Sequence, residues 1–257
     1  MNSISIAIVT YNNETTIGET LDSVRAHIDM KFKLFVTVID NGSTDGTLDI
    51  VRANSDLVEL VQSPQGNVGF GAAHNLVIPR LNSDVHIIMN PDVTIKREGF
   101  FEKAVEILGN NPTVGMLVPS IYNEKDELQY LCRRDLTVLD LALRFSPIKI
   151  MRKRREYHEM RDMDYEKPFE VPFASGCCML IRTELFVELG GFDERYFLYA
   201  EDADLCRSIR QRAQIQFRPE LEIYHLWERA SYKNARMTRI HIQSLRRYFK
   251  KWGWKFK

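Results

Sequence analysis

Short apolar runs and amphipathic stretches take turns along this chain, and that alternation narrows the folds open to it. Residues 4–10, 34–40, 57–62, 85–90 and 114–120 read as strands, several of them apolar nearly throughout, as strands buried on both faces are. Between them, Ile17, Leu21, Val24 and Ile28 recur at helical spacing behind the candidate cap Asn13. Residues 47–52, 71–77 and 99–108 carry further helical segments, the second stopped near Pro79. Strand and helix in succession predict an α/β fold with a doubly wound, mostly parallel central sheet flanked by helices. The pattern loosens in the middle, where 136–145 looks helical and 149–167 is dense in charge around Arg152-Lys153-Arg154-Arg155. It resumes with a strand at 178–182, helices at 183–189 and 202–211, and a strand at 221–225.

At 257 residues, with 35 basic and 35 acidic side chains, the chain can bury a full core as one large domain, alone or with an appendage. Met1-Asn2-Ser3-Ile4 lacks the basic region and long apolar run of a secretory signal. No later stretch approaches the ~20 apolar residues of a membrane span, so a soluble globular protein is expected. Cys132, Cys177, Cys178 and Cys206 form no Cys-x-x-Cys pair, which fits a reduced cytoplasmic setting without structural zinc.

Two acidic sites carry the chemistry. In the block from Gly190 to Arg207, Glu201, Asp202 and Asp204 open a helix behind a run of aromatics. Helix N-terminal amides favour carboxylates and the aromatics can wall a pocket, which is how a chain positions a general base; the plain alternative is that acids simply suit a first turn. Far upstream, the apolar run Ile87-Ile88-Met89 ends abruptly in Asn90-Pro91-Asp92. Such a strand delivers a carboxylate to the carboxyl edge of the sheet, where Asp92 can hold Mg²⁺ or Mn²⁺; Asn-Pro is also an ordinary turn starter. A Rossmann dehydrogenase fits poorly. The turn after the first strand is Thr10-Tyr11-Asn12-Asn13, and Gly66, Gly69 and Gly71 have the wrong spacing and follow the third strand. Asp40, closing the second strand, can bind a nucleoside or cap its own turn.

Together these pieces resemble the family 2 glycosyltransferases, inverting enzymes of the GT-A fold that use nucleotide-sugar donors. The resemblance rests on Ile8-Val9-Thr10-Tyr11-Asn12, the segment from Val38 to Thr47, the segment from Asn67 to Asn75, Asn90-Pro91-Asp92, the Gly190 to Arg207 block, and His225 and Ser231. It implies a GT-A domain over 1–228, with a nucleotide-binding half at 1–120 and an acceptor-side half at 121–228. Within the latter, 149–167 is either a solvated face or a mobile acceptor-side loop. By the same resemblance Thr10, Tyr11, Asn12, Asp40, Gly69, Asn75 and Asn90 bind the donor, with Asp40 accepting the N3–H of uracil or thymine. Asp92 ligates Mg²⁺ or Mn²⁺, with His225 as a second ligand or phosphate contact. Asp202 is the general base, Glu201 orients acceptor or sugar, and Asp204 caps the helix. Asn90 replaces the first carboxylate of the usual Asp-x-Asp, as in bacterial rhamnosyltransferases of surface and cell-wall polysaccharide synthesis. That implies dTDP-L-rhamnose as donor, with a UDP-hexose as runner-up, and a polyprenyl-linked or saccharide acceptor. A silent nucleotide-sugar binding protein stays open as a rival, and a nucleotidyltransferase would carry a Gly-rich basic loop after its first strand, which is missing here.

From Arg229 onward the chain has no acid, and 245–257 interleaves bases with aromatics. Leu245, Phe249 and Trp252 share one helical face. This basic C-terminal helical extension, 229–257, reads either as a peripheral contact with the inner face of the plasma membrane or as a helix docked on its own domain or on a partner subunit of a homodimer. Nucleic acid is disfavoured by the balanced charge and the absence of a recognised motif.

Overall fold

In the computed structural model of the chain, the described residues are 1–29, 31–144, 152–226 and 235–256. The order begins β1 (Ser3–Thr10), α1 (Ile17–Ala26), β2 (Lys33–Asp40), α2 (Thr47–Ala53), β3 (Val58–Gln62), α3 (Phe70–Asn75) and β4 (Val85–Met89). It continues with β5 (Val93–Ile95), α4 (Phe100–Asn110), β6 (Val114–Tyr122), β7 (Cys132–Arg133), α5 (Val138–Arg144) and α6 (Arg152–His158). The last elements are β8 (Phe169–Glu170), β9 (Phe173–Ala174), β10 (Cys178–Arg182), α7 (Thr183–Glu188), α8 (Glu201–Ile209), β11 (Gln214–His225) and α9 (Ala235–Trp252).

The main sheet runs β3-β2-β1-β4-β10-β6-β11-β5, with β8 also paired to β11. From β3 to β4 every pair is parallel, and so is β6 with β11, while β10 enters antiparallel between β4 and β6. The expected α/β arrangement is present. β4 is buried at every position and β1 at all but its first, because helices cover both faces of the sheet. One core cluster gathers Ile4, Ile6 and Ile8 of β1 with Leu21 of α1 and Phe101 of α4. A second gathers Ile88, Met179 and Ile181 with Phe186 of α7 and Ile209 of α8.

Two local expectations change, and for the charge run the solvated-face alternative describes the helical part. Asn13 does not cap α1 with its side chain; its Oδ1 accepts the Tyr11 N–H at 2.8 Å instead, tightening the turn after β1. β11 begins at Gln214 rather than near 221, with Ile215 and Phe217 buried between less buried neighbours. The segment 152–158 of the charge run is a helix without buried residues, tied to α5 by the Arg154 to Asp140 ion pair at 2.7 Å. The rest of that run's start, 149–151, and Ser231 lie outside the described residues.

The tail is a helix, and its apolar face turns inward. Tyr248 and Phe249 are buried in a cluster with Leu136, Leu141, Tyr196 and Ala203, against which Leu245 and Trp252 also pack. Of the alternatives for this face, docking on its own domain describes what the residues do; the rings of Phe249 and Trp252 are spent in the fold and are not free for a lipid surface. Trp254 and Phe256 remain 55% and 66% exposed. Among the described residues no helix is long and apolar enough to cross a membrane.

Candidate active site

Parallel strands bring their carboxyl ends to one edge, and the loops that follow β1 and β4 open there onto a cleft of ≈ 910 Å³ whose walls include Asn12, Asp92, Arg133 and His225. A smaller cavity of ≈ 200 Å³ adjoins it, sharing Leu131, Arg133 and His225 and adding Ser175, Tyr199, Glu201, Asp202 and His241. Asp92 and Asp202, far apart in sequence, thus face two connected spaces.

The loops after β1 and β2 are locked together. Thr10 is fully buried and its Oγ1 donates to Asp40 Oδ1 at 3.4 Å. The Asp40 carboxylate is itself buried and accepts the N–H groups of Gly42 and Ser43, each at 3.2 Å from Oδ2. It therefore closes its own turn, the local role the sequence left open beside base recognition. Asn12 sits at a positive φ of 57°, and its Oδ1 accepts the Thr44 N–H at 2.8 Å, so it crosslinks the two loops while lining the cleft. Tyr11 stands 49% exposed beside them.

The antiparallel register of β5 with β11 pairs Val93 with His225, and this sets His225 beside Asp92. The imidazole Nε2 lies 3.4 Å from Asp92 Oδ1. The contact is within ion-pair range without hydrogen-bond geometry, and Asp92 Oδ1 and His225 Nδ1 are buried without a hydrogen-bond partner. Buried polar atoms without partners are uncommon, and at a cleft wall they fit a hard cation that fills its remaining positions with phosphate oxygens and water. Among the described residues no group of three or more His, Cys, Asp or Glu side chains is gathered as a complete metal cage.

On the other side, Gly176 N–H donates to Asp202 Oδ2 at 3.3 Å, and Ala203 N–H to Oδ1 at 2.8 Å. Next to Gly176, the Cys177 carbonyl accepts the Asn90 N–H at 2.8 Å, so Asn90 holds the edge of the sheet to the same loop. The Cys177 thiol is pushed up to about 12 by burial and stays neutral. Glu201 is 5% exposed, and burial first, then the neighbouring Asp202 charge, raise its pKa well above the ordinary carboxylate range. Its Oε2 has no hydrogen-bond partner.

α8 starts from an unusual turn. Tyr199 and Ala200 both adopt left-handed backbone, with φ of 68° and 65°, and neither is glycine. Such residues cost about 1–3 kcal/mol each and persist only where the surroundings dictate them. Asp204 does not cap the helix as expected: α8 has no side-chain cap, and the buried Asp204 carboxylate instead accepts from Tyr196 Oη at 3.2 Å, Lys251 Nζ at 2.7 Å and Trp252 Nε1 at 2.7 Å.

Of the seven expected donor contacts only Asn12 is among the residues lining these two cavities, and Asn75 and Gly69 make structural contacts elsewhere. Asn75 exchanges hydrogen bonds with the backbone of Phe192, accepting at 2.9 Å and donating at 2.8 Å, and so staples α3 to the Gly190-Gly191-Phe192 turn. Gly69, at a φ of 95°, lets Phe70 N–H reach the Phe197 carbonyl at 3.0 Å; a Cβ there would meet that oxygen at 2.3 Å. Conversely, Ser175, Gly176, Arg133 and His241 belong to the site and escaped the sequence reading, since each comes from a segment with no motif of its own.

The model of the family described as "Glycosyl transferase family 2" matches residues 5–190. The chain is 29% identical over 239 residues to the N-acetylglucosaminyl-diphospho-decaprenol L-rhamnosyltransferase of Mycobacterium tuberculosis, covering 86% of this chain and 75% of that protein. It is 24% identical over 267 residues to the rhamnosyltransferase WbbL of Escherichia coli K12, covering 95% and 92%. Among solved structures it is similar to the mannosyltransferase PcManGT of Pyrobaculum calidifontis in complex with GDP-Man and Mn²⁺, with a TM-score of 0.66, 23% identity and coverage of 96% of this chain and 63% of that one. It is also similar to S. aureus TarS 1-349 in complex with UDP-GlcNAc, with a TM-score of 0.63, 20% identity and coverage of 93% and 61%. This chain spans less than two thirds of either solved chain, and these two likenesses bear on the fold.

Proposed function

The chain belongs to glycosyl transferase family 2, and from that premise we propose that it moves L-rhamnose, with inversion, from dTDP-L-rhamnose to a hydroxyl of a polyprenyl-linked saccharide in cell-surface polysaccharide synthesis. The observation that carries this reading is Asp202, held by two backbone N–H groups at the cavity that shares a wall with the Asp92 and His225 cleft. The named relatives at 29% and 24% identity support the choice of sugar, and the lipid-linked acceptor printed for the first supports the choice of acceptor.

In this reading 1–120 binds the nucleotide and 121–228 the acceptor. The diphosphate lies in the larger cleft and the acceptor hydroxyl in the smaller cavity. Asp202 takes the hydroxyl proton as that oxygen bonds the anomeric carbon, and the bond to the diphosphate breaks on the opposite face. Gly176 N–H and Ala203 N–H fix the carboxylate in orientation. Glu201, driven toward its neutral form, has a proton to donate to a hydroxyl of acceptor or sugar. Asp92 and His225 fit Mg²⁺ or Mn²⁺, which would balance charge on the departing diphosphate. The mannosyltransferase PcManGT, solved with Mn²⁺, supports the choice of cation.

The test is incubation with dTDP-L-rhamnose, UDP-hexoses and a polyprenyl-diphosphate saccharide. Release of dTDP with a rhamnosylated product is expected. Turnover with UDP-hexoses alone overturns the sugar assignment, and nucleotide-sugar binding without turnover of any donor makes this a silent binding protein.

A further inference from the structure

α9 runs along the segment 193–204, which ends in the acidic turn, and touches it at nearly every step. The Arg247 guanidinium donates to the Arg195 carbonyl, and Ser244 Oγ to the Leu198 carbonyl at 2.8 Å. The His241 ring lies over Tyr199 with centroids 4.6 Å apart. Lys251 Nζ reaches Asp193 at 3.0 Å and Asp204 at 2.7 Å, and Trp252 Nε1 donates to the other Asp204 oxygen at 2.7 Å. Beneath these contacts Tyr248 and Phe249 are buried with Tyr196, Ala200 and Ala203.

What this helix grips is the strained part of the chain. Tyr199 and Ala200 hold left-handed backbone that side chains disfavour, and Glu201 and Asp202 follow at once. Such backbone persists only where the surrounding structure over-determines it. Ser244 pins the flank before it, at Leu198, and Lys251 with Trp252 pins the flank after it, at Asp204. Asp204 is 2% exposed, so its charge needs the Lys251 ammonium.

We propose that α9 is a strap that holds the Tyr199-Ala200 turn in its left-handed form, and that Asp204 is a positioning residue that fixes Asp202 through Lys251 and Trp252. The proposal rests on the reading of Asp202 as the base. It also gives the acid-free tail a task inside the fold: Lys251 is the counter-ion of a buried carboxylate two residues past the base.

The experiment compares Lys251→Met, Lys251→Arg and Trp252→Phe in the full chain, by steady-state kinetics, nucleotide calorimetry and hydrogen exchange. In Lys251→Met, kcat is expected to fall roughly 10-fold or more while the KM for donor and the affinity for the nucleotide stay within about twofold, since the loops after β1 and β2 are held to each other through Asn12, Ser43 and Thr44. Lys251→Arg restores most of kcat. Amides of 196–204 exchange faster in Lys251→Met and Trp252→Phe, with β1 and β2 at wild-type rates. Exchange is read without turnover, so a chain that transfers no sugar still tests the strap. Unchanged exchange over 196–204 overturns the proposal, as does loss of nucleotide affinity together with protection throughout the sheet.

Discussion

Asp202 Oδ2 accepts the Gly176 N–H at 3.3 Å, one residue from the carbonyl that receives the Asn90 N–H at 2.8 Å. A single loop, 175–177, therefore holds the candidate base and the sheet edge that bears Asp92. One backbone–backbone bond and one backbone N–H on the Asp202 carboxylate thus tie the two sites to the same loop, the kind of fixed placement that a displacement at one carbon requires.

Asp202→Asn keeps the shape and removes the proton acceptor; its single amide oxygen replaces only one of the two carboxylate oxygens that accept the Gly176 and Ala203 N–H groups. Turnover is expected to drop by about 10²-fold or more with nucleotide affinity nearly unchanged, because loss of a positioned base acts on the chemical step. Steady-state rates beside calorimetric titration with the nucleoside diphosphate check this. Near-normal turnover would move the base elsewhere.

Asp92→Ala acts on the other side of the cleft. Both the dependence on Mn²⁺ and the affinity for nucleoside diphosphate are expected to weaken together, since a cation held by Asp92 and His225 would supply charge for the diphosphate. Calorimetry with and without Mn²⁺ reads the coupling. A variant as metal-dependent as the parent chain would remove Asp92 from the cation site.

Stability should fall with acid well before the carboxylates protonate. Burial lowers the pKa of His74 and His86 to about 3 each, against an ordinary value near 6.5. Both are neutral when folded and protonated when unfolded, so their stabilisation is full above about 6.5 and is lost as pH falls toward 3. Between pH 7 and pH 5 each accounts for about 2 kcal/mol. Glu201 has the opposite sign: its raised pKa gives a contribution present below about 4.5 and lost as pH rises. Denaturant unfolding of His74→Gln beside the parent at pH 7 and pH 5 isolates the histidine, and a variant with the same loss between the two pH values as the parent would contradict the assignment.

The fold was legible where both faces of a strand are buried, because β1, β4 and β10 then read as mostly apolar runs, broken only by Ser5 and His86 inside them. The first half of β11 was not, since Gln214, Gln216 and Arg218 interrupt its buried Ile215 and Phe217. The candidate base stood out because three acids open one helix. Its support did not: Asp204 and Lys251 are 47 residues apart and look like a helix cap and a tail charge until the fold joins them. The left-handed turn at Tyr199 and Ala200 had no glycine to announce it, and nothing local to Asn75 announced its hydrogen bonds to Phe192, which staple α3 to the Gly190-Gly191-Phe192 turn. Local pattern reports what each segment buries; it is silent on which distant group completes a buried charge.

Membrane contact, if made by this tail, must use what the fold leaves outside. With Phe249 buried and Trp252 bonded to Asp204, the exposed rings are Trp254 and Phe256, and Arg239, Arg246 and Lys250 are exposed on α9. Rings at a lipid interface with bases over anionic headgroups give reversible attachment, each base near the surface adding about 1 kcal/mol that fades as salt rises. A polyprenyl-linked acceptor would give such attachment a purpose by placing enzyme and substrate on one surface. Sedimentation with vesicles rich in phosphatidylserine is expected to carry the chain down at low salt and release it near 0.5 M salt. The single change Phe256→Ser leaves Asp204 and its partners in place and keeps the Trp254 ring stacked on Phe249, and is expected to cut binding several-fold without altering hydrogen exchange over 196–204. Equal, negligible sedimentation of both chains would confine the tail to its work inside the fold.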